Sequence, residues 1–156
     1  MSVQLVAVIE SNLVNKRTHG VLMEKLNRQA MTRIRFNYLP RHFQVNENTR
    51  PGGGYGYTAR TGRYQIRKAK TKGHQKPLVW SGKMLISIMS SSRITATQKV
   101  GNLYVRNYMP MSPQRRSEVE NLAPAERVEI TERLQRDYVR LAALPQYQRK
   151  RRRKTP

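Results

Sequence analysis

Residues 81–108 read SGKMLISIMSSSRITATQKVGNLYVRNY, and the spacing of apolar side chains changes partway along. In the first part Leu85, Ile88 and Met89 share one face of a short helix, and the Ser81 hydroxyl is placed to accept a backbone N–H of its first turn. After the break at Ser90-Ser91-Ser92, residues 93–99 and 103–108 carry Ile94, Ala96, Leu103 and Val105 among threonines and tyrosines. That composition suits two half-buried strands, and Gly101-Asn102 supplies the turn residues between them. A helical period giving way to a strand period predicts an antiparallel hairpin beside helices.

Upstream, Leu22, Leu26, Ala30, Ile34 and Tyr38 recur every fourth residue, while Lys25, Arg28, Arg33 and Arg35 lie mostly off that stripe. This predicts an amphipathic helix over about 20–37, ended by Pro40, which disfavours helical geometry at Leu39. Residues 3–9 fit a strand through Val3, Leu5, Ala7 and Ile9, and a helical face through Leu5, Ile9 and Leu13 equally well. Downstream, Ile130, Leu134, Tyr138 and Leu141 mark a helix that starts near Pro124 and stops at Pro145, with Glu126 near its positive dipole end. Glu129 with Arg133, and Glu132 with Arg136, are spaced four apart in the favourable order, about 0.2–0.5 kcal/mol each.

Between these helices the pattern dissolves. The run Pro51-Gly52-Gly53-Gly54-Tyr55-Gly56-Tyr57 is too rich in glycine for a regular element, so residues 41–80 read as a long extended arm that orders only against neighbours. Its cations Arg41, Arg50, Arg60, Arg63, Arg67, Lys68, Lys70, Lys72 and Lys76 are interleaved with Tyr55, Tyr57 and Tyr64. Such an arm can track phosphates while its rings stack on bases, or wedge between protein subunits. The end of the chain, Arg149, Lys150, Arg151, Arg152, Arg153 and Lys154, is an unbroken basic run that reads as a tail needing an anionic partner.

Charge dominates the composition. The 156 residues hold 31 Lys and Arg against 9 Asp and Glu, a formal net charge of +22, and 37% are hydrophobic. One small core with polar extensions is expected, and self-repulsion on this scale asks for polyanions or acidic partners. Six of the nine acids are Glu118, Glu120, Glu126, Glu129, Glu132 and Asp137.

The chain has no cysteine, which excludes disulfides and thiolate metal sites and fits synthesis in a reducing cytoplasm. His19, His42 and His74 show neither metal-ligand spacing nor a carboxylate partner suited to nucleophilic catalysis. Gly82-Lys83 is followed by Met84 where a phosphate-binding Walker loop needs Ser or Thr. No catalytic, metal or cofactor-binding residue is therefore assigned, and a phosphoryl-handling enzyme has only the glycines in its favour. The first nine residues lack the features of a secretory signal, and no apolar run approaches the roughly 20 residues that span a bilayer, so no membrane partner is expected.

The stretch YQIRKAK at 64–70, followed by KPLVWSGKM at 76–84, resembles neck and tail-completion proteins of tailed bacteriophages. In those proteins a basic arm leads into a Pro-Leu-Val, aromatic, Thr/Ser-Gly, basic, apolar signature; Ser81 here stands where Thr is commoner. Leu39-Pro40-Arg41-His42-Phe43 also suits the pattern. The resemblance implies a small antiparallel sheet packed between N- and C-terminal helices, an α+β fold. Residues 1–145 form the expected single domain, with the arm at 41–80 inside it, and residues 146–156 the basic tail.

It further implies a virion protein at the head–tail junction, built as a sixfold or twelvefold homo-oligomeric ring. Portal or adaptor and tail proteins would be its neighbours, and DNA would pass through the lumen. The basic residues of the arm and tail named above, with Tyr55, Tyr57 and Tyr64, are the expected partner- or DNA-facing set. The alternative is a ribosomal or other RNA-binding structural protein, which accounts for the charge without a ring.

Overall fold

The stripe Leu22, Leu26, Ala30, Ile34 and Tyr38 is buried along its whole length in a computed structural model, which describes residues 2–6, 8–9, 14, 16–76, 82–105 and 113–147. Helix α1 spans Lys16–Arg33, starting earlier than its stripe. It then widens into a π-type turn, Ile34–Tyr38, in which the Leu39 N–H reaches back to the Ile34 carbonyl. Pro40 has no N–H to offer the ladder, and the chain tightens into a 3₁₀ turn, Leu39–Phe43.

Residues 2–6 are a strand. β1 (Ser2–Val6), β2 (Arg93–Ala96) and β3 (Val100–Tyr104) form an antiparallel sheet in the order β1-β3-β2, so the N-terminal strand completes a sheet begun by the hairpin. The registers align Val3 with Leu103 and Ile94, and Leu5 with Gly101 and Ala96. Leu103 is fully buried, and α1 packs on β2 and β3, so Leu103 marks the face that α1 covers.

The hairpin turn differs from the sequence expectation. It falls at residues 97–99, where the Thr97 N–H donates to the Val100 carbonyl at 2.8 Å, and Gly101 lies inside β3. Packing explains why a glycine stands there. A Cβ at Gly101 would sit 2.7 Å from Met31 Cγ and 3.2 Å from the Asn27 carbonyl, so glycine lets α1 lie close on the sheet. Asn27 Nδ2 locks the approach by donating to the Thr97 carbonyl at 2.9 Å. β3 ends at Tyr104, and residues 106–108 of the expected strand lie outside the described residues.

Helix α2 covers Gly62–Lys72 and α3 covers Lys83–Ile86, running into a second π-type turn, Ser87–Ser91. Ile88 is buried there and Leu85 packs on the core from its edge, but Met89 is left partly exposed. The wide turn moves Met89 off the α-helical stripe on which the sequence placed it. Arg35 joins the two π-type turns by donating from Nε to the Ile88 carbonyl at 2.9 Å and from Nη2 to the Met89 carbonyl at 2.5 Å. Gly82, at φ 73, precedes α3, and Ser81 lies outside the described residues.

Helices α4 (Pro113–Glu120) and α5 (Pro124–Ala142) complete the fold. Ile130, Leu134, Tyr138 and Leu141 are buried as their spacing predicts, against α1. Neither intrahelical pair, Glu129 with Arg133 or Glu132 with Arg136, closes among the described residues. Asp137 instead bridges the helices, 2.7 Å from Arg33 Nη1 and 3.4 Å from Arg140 Nη2, and His19 Nδ1 lies 2.8 Å from the Tyr138 hydroxyl. A small antiparallel sheet, with helices between β1 and β2 and after β3, is an α+β fold.

Candidate nucleic-acid interface

The segment read as an extended arm splits into a folded half and an outward half. In the folded half the glycine run turns back onto the junction between α4 and α5. A Cβ on Gly53 would meet the Glu47 carbonyl at 2.4 Å, and one on Gly54 would meet Ala123 Cβ at 2.9 Å, so these glycines serve close packing. Tyr55 and Tyr57 are buried, correcting their assignment as partner- or DNA-facing rings. The Tyr55 ring stacks on His42 with centroids 3.7 Å apart, and its hydroxyl donates to Glu126 Oε1 at 2.8 Å. The Tyr57 hydroxyl donates to the His42 carbonyl at 2.6 Å.

Two buried carboxylates hold this half in place. Glu126 Oε2 accepts the Ala123 N–H at 3.1 Å, capping α5, while its Oε1 also pairs with Arg41 Nη1 at 3.3 Å. Glu118 Oε1 accepts from the Thr58 N–H at 3.1 Å and the Thr58 hydroxyl at 3.0 Å, and its Oε2 pairs with Arg60. His42 Nδ1 lies 2.9 Å from the Glu118 carbonyl, which can only accept, so the proton sits on Nδ1. Burial pushes the His42 imidazole below its ordinary pKa, opposed by that hydrogen bond and by the Glu126 charge, and burial pushes the Tyr55 and Tyr57 phenols up. Arg41 also lies 4.8 Å over the Tyr38 ring, so Arg41 and Arg60 both pair with buried carboxylates, Arg41 from the surface with 46% of its side chain exposed.

The outward half is α2. The Thr61 hydroxyl accepts the Tyr64 N–H at its start, and Gly73, at φ 68, closes its end with an N–H bond to the Ala69 carbonyl at 2.8 Å. Those caps make an ordinary helix of residues expected to be extended, and the caps were the signal to read. Lys68 is the buried residue of α2, its ammonium donating to the Lys76 carbonyl and lying 5.7 Å from the half-buried Tyr64 ring. Arg63, Arg67, Lys70 and Lys72 are exposed, as are Arg50 and Lys76. Arg149, Lys150, Arg151, Arg152, Arg153 and Lys154 lie outside the described residues.

The structure thus divides the expected set. Arg41, Tyr55, Tyr57 and Arg60 belong to an internal clasp; Arg63, Arg67, Lys70 and Lys72 share one projecting helix. Sequence reading missed Glu118 and Glu126 as the clasp's anchors. Their signal was weak, because no Asp or Glu lies between Glu47 and Glu118, and nothing in spacing tells an acid turned inward from one on a solvated helix face. The chemistry of the exposed part is that of a cationic surface on a small α+β scaffold. No protein-family model, curated protein or solved structure matches the chain.

Proposed function

We propose that this protein is a non-catalytic structural subunit of the neck of a tailed bacteriophage. In this reading it is a connector or tail-completion subunit that joins the portal or adaptor of the head to the tail, as a homo-oligomeric ring around the DNA channel. The observation that carries the proposal is how charge is partitioned. Glu118, Glu126 and Asp137 are consumed by internal pairs, while the charged residues of α2 are all cations and all but Lys68 are exposed. A domain that pairs three of its acids internally and exposes a run of cations on one helix suits a place beside a polyanion, and a ring multiplies that field around a central strand. The order of elements, a long helix, a glycine-started short helix, a small antiparallel sheet and a last helix, also agrees with what the resemblance implies.

The RNA-binding alternative loses support at one point. It drew on rings interleaved with cations, and Tyr55 and Tyr57 are inside the domain, bonded to Glu126 and His42. The deciding experiment is localisation of a tagged chain in purified virions by electron microscopy, with sizing of nuclease-treated, high-salt-washed protein by light scattering. Label at the head–tail junction and a discrete nucleic-acid-independent oligomer are expected. Label absent from particles, with the chain co-sedimenting with ribosomes, would overturn the reading.

A further inference from the structure

Helix α2 has a composition and placement that the folding of the domain does not explain. Its residues at 63, 67 and 70 fall on one helical face, and Arg63, Arg67 and Lys70 are all exposed there with no ion pair among the described residues. The opposite face carries the buried Lys68 and half-buried Tyr64 and Ala69. Beside the cationic stripe stands Ile66, 69% exposed. Caps at both ends, and the Lys68 ammonium bonded to the Lys76 carbonyl beyond the helix, hold the stripe as a rigid unit. Three cations are thereby fixed along about 10 Å of helix axis.

We propose that α2 binds double-stranded DNA without sequence preference, its Arg63, Arg67 and Lys70 contacting phosphates of the backbone. The proposal deepens the polyanion-facing reading of the exterior and rests on it. Charge complementarity selects a nucleic acid over an acidic protein. Protein interfaces are depleted in lysine at their centres and anchored by aromatic side chains, whereas this face has no aromatic anchor. A duplex is selected over a single strand because the helix offers no open ring for base stacking: Tyr64 is half-buried with the Lys68 ammonium near its face. B-form DNA is selected over duplex RNA because its major groove admits an α-helix between phosphate rows and the RNA groove does not. Ile66 then meets sugar or thymine-methyl surface.

The test is binding of the full chain to a duplex of mixed sequence, followed by fluorescence anisotropy over a range of salt concentrations. The triple variant Arg63→Gln, Arg67→Gln, Lys70→Gln is compared with a control of equal charge change at the exposed Lys16, Lys99 and Arg136. Glutamine keeps helix propensity close to that of Arg and Lys, so circular dichroism should be unchanged. Each phosphate contact contributes close to one unit to the slope of log K against log salt, so the α2 triple should flatten it by about 3 units. The control should flatten it by less than about 1 unit. Arg63→Lys with Arg67→Lys, which keeps the charge, should preserve the slope.

Equal flattening in both triples would overturn the assignment in favour of diffuse charge, and no change in the α2 triple would overturn it outright. Tighter binding to single-stranded DNA or duplex RNA of the same length, or displacement of the duplex by polyglutamate at equal charge concentration, would also overturn it. The neck reading is separable. A slope independent of α2 leaves junction localisation standing, while an α2-dependent slope in a chain absent from virions removes the neck reading alone.

Discussion

Glu118 shows how much one carboxylate does in a chain of this charge. Its side chain is 1% exposed and serves Thr58 twice and Arg60 once, so removing it strands donors that were satisfied in the interior. Glu118→Ala should lower stability by roughly 2–3 kcal/mol, seen in urea as a lower midpoint at unchanged m-value. His42 sets an acid limit. Its folded pKa lies below the unfolded value of about 6.5, so the unfolded chain takes up the proton first and stability falls as pH drops below about 6.5. His42→Phe, which keeps a ring against Tyr55, should flatten the stability profile below about pH 6.5. The buried phenols of Tyr38, Tyr55 and Tyr57 set the alkaline limit with the opposite sign. Their folded pKa values are raised, so the stability they confer is present below about pH 10 and is lost as pH rises beyond it. Urea melts across that range should trace a plateau between the two limits.

Among the elements, the contact of α1 with the sheet is tightest at Gly101. Gly101→Ala should cost about 1–3 kcal/mol, because the new methyl must displace a fully buried Met31 or move the helix. Helix α2 should behave in the opposite way. Removing its cap with Thr61→Ala should lower amide protection within α2, by about 1 kcal/mol locally, and leave global unfolding nearly unchanged, since Lys68 is the residue that the helix buries. The long elements were legible because their signal is repetition: five residues of α1 and the turn that continues it, and four of α5, recur at helical spacing, and all nine are buried. The hairpin was legible as two strands but not in register, because Gly101-Asn102 carries a turn composition that helix packing, unseen in a linear pattern, has put to another use. β1 was ambiguous because its apolar positions fit both periods until β3 offers an edge. The arm was misread for a physical reason. Glycine permits both looseness and close approach, and the choice depends on Glu47 and Ala123, which lie near in space and, for Ala123, far along the chain. Half of the candidate site followed: cations on α2 were found, while Tyr55 and Tyr57 turned inward and Arg41 and Arg60 pair with buried carboxylates.

At the scale of the molecule, net charge opposes compaction. Raising ionic strength from about 0.02 to about 0.2 M shortens the screening length and should raise the melting temperature, with sulfate acting more strongly than chloride. Calorimetry in the two salts checks this, and a melting temperature insensitive to both would mean that the fold already disperses its cations far enough apart. The sheet order carries a consequence in time. During synthesis Ser2–Val6 leaves the ribosome well before its partner, Val100–Tyr104. The glycine loop likewise waits for Glu118 and Glu126. Both early segments therefore spend most of translation unpaired, and the domain closes in one late step when the C-terminal helices arrive. A nascent chain stalled before residue 118 should be sensitive to protease through both the N-terminal strand and the loop, and one extended past α5 should be resistant in both at once.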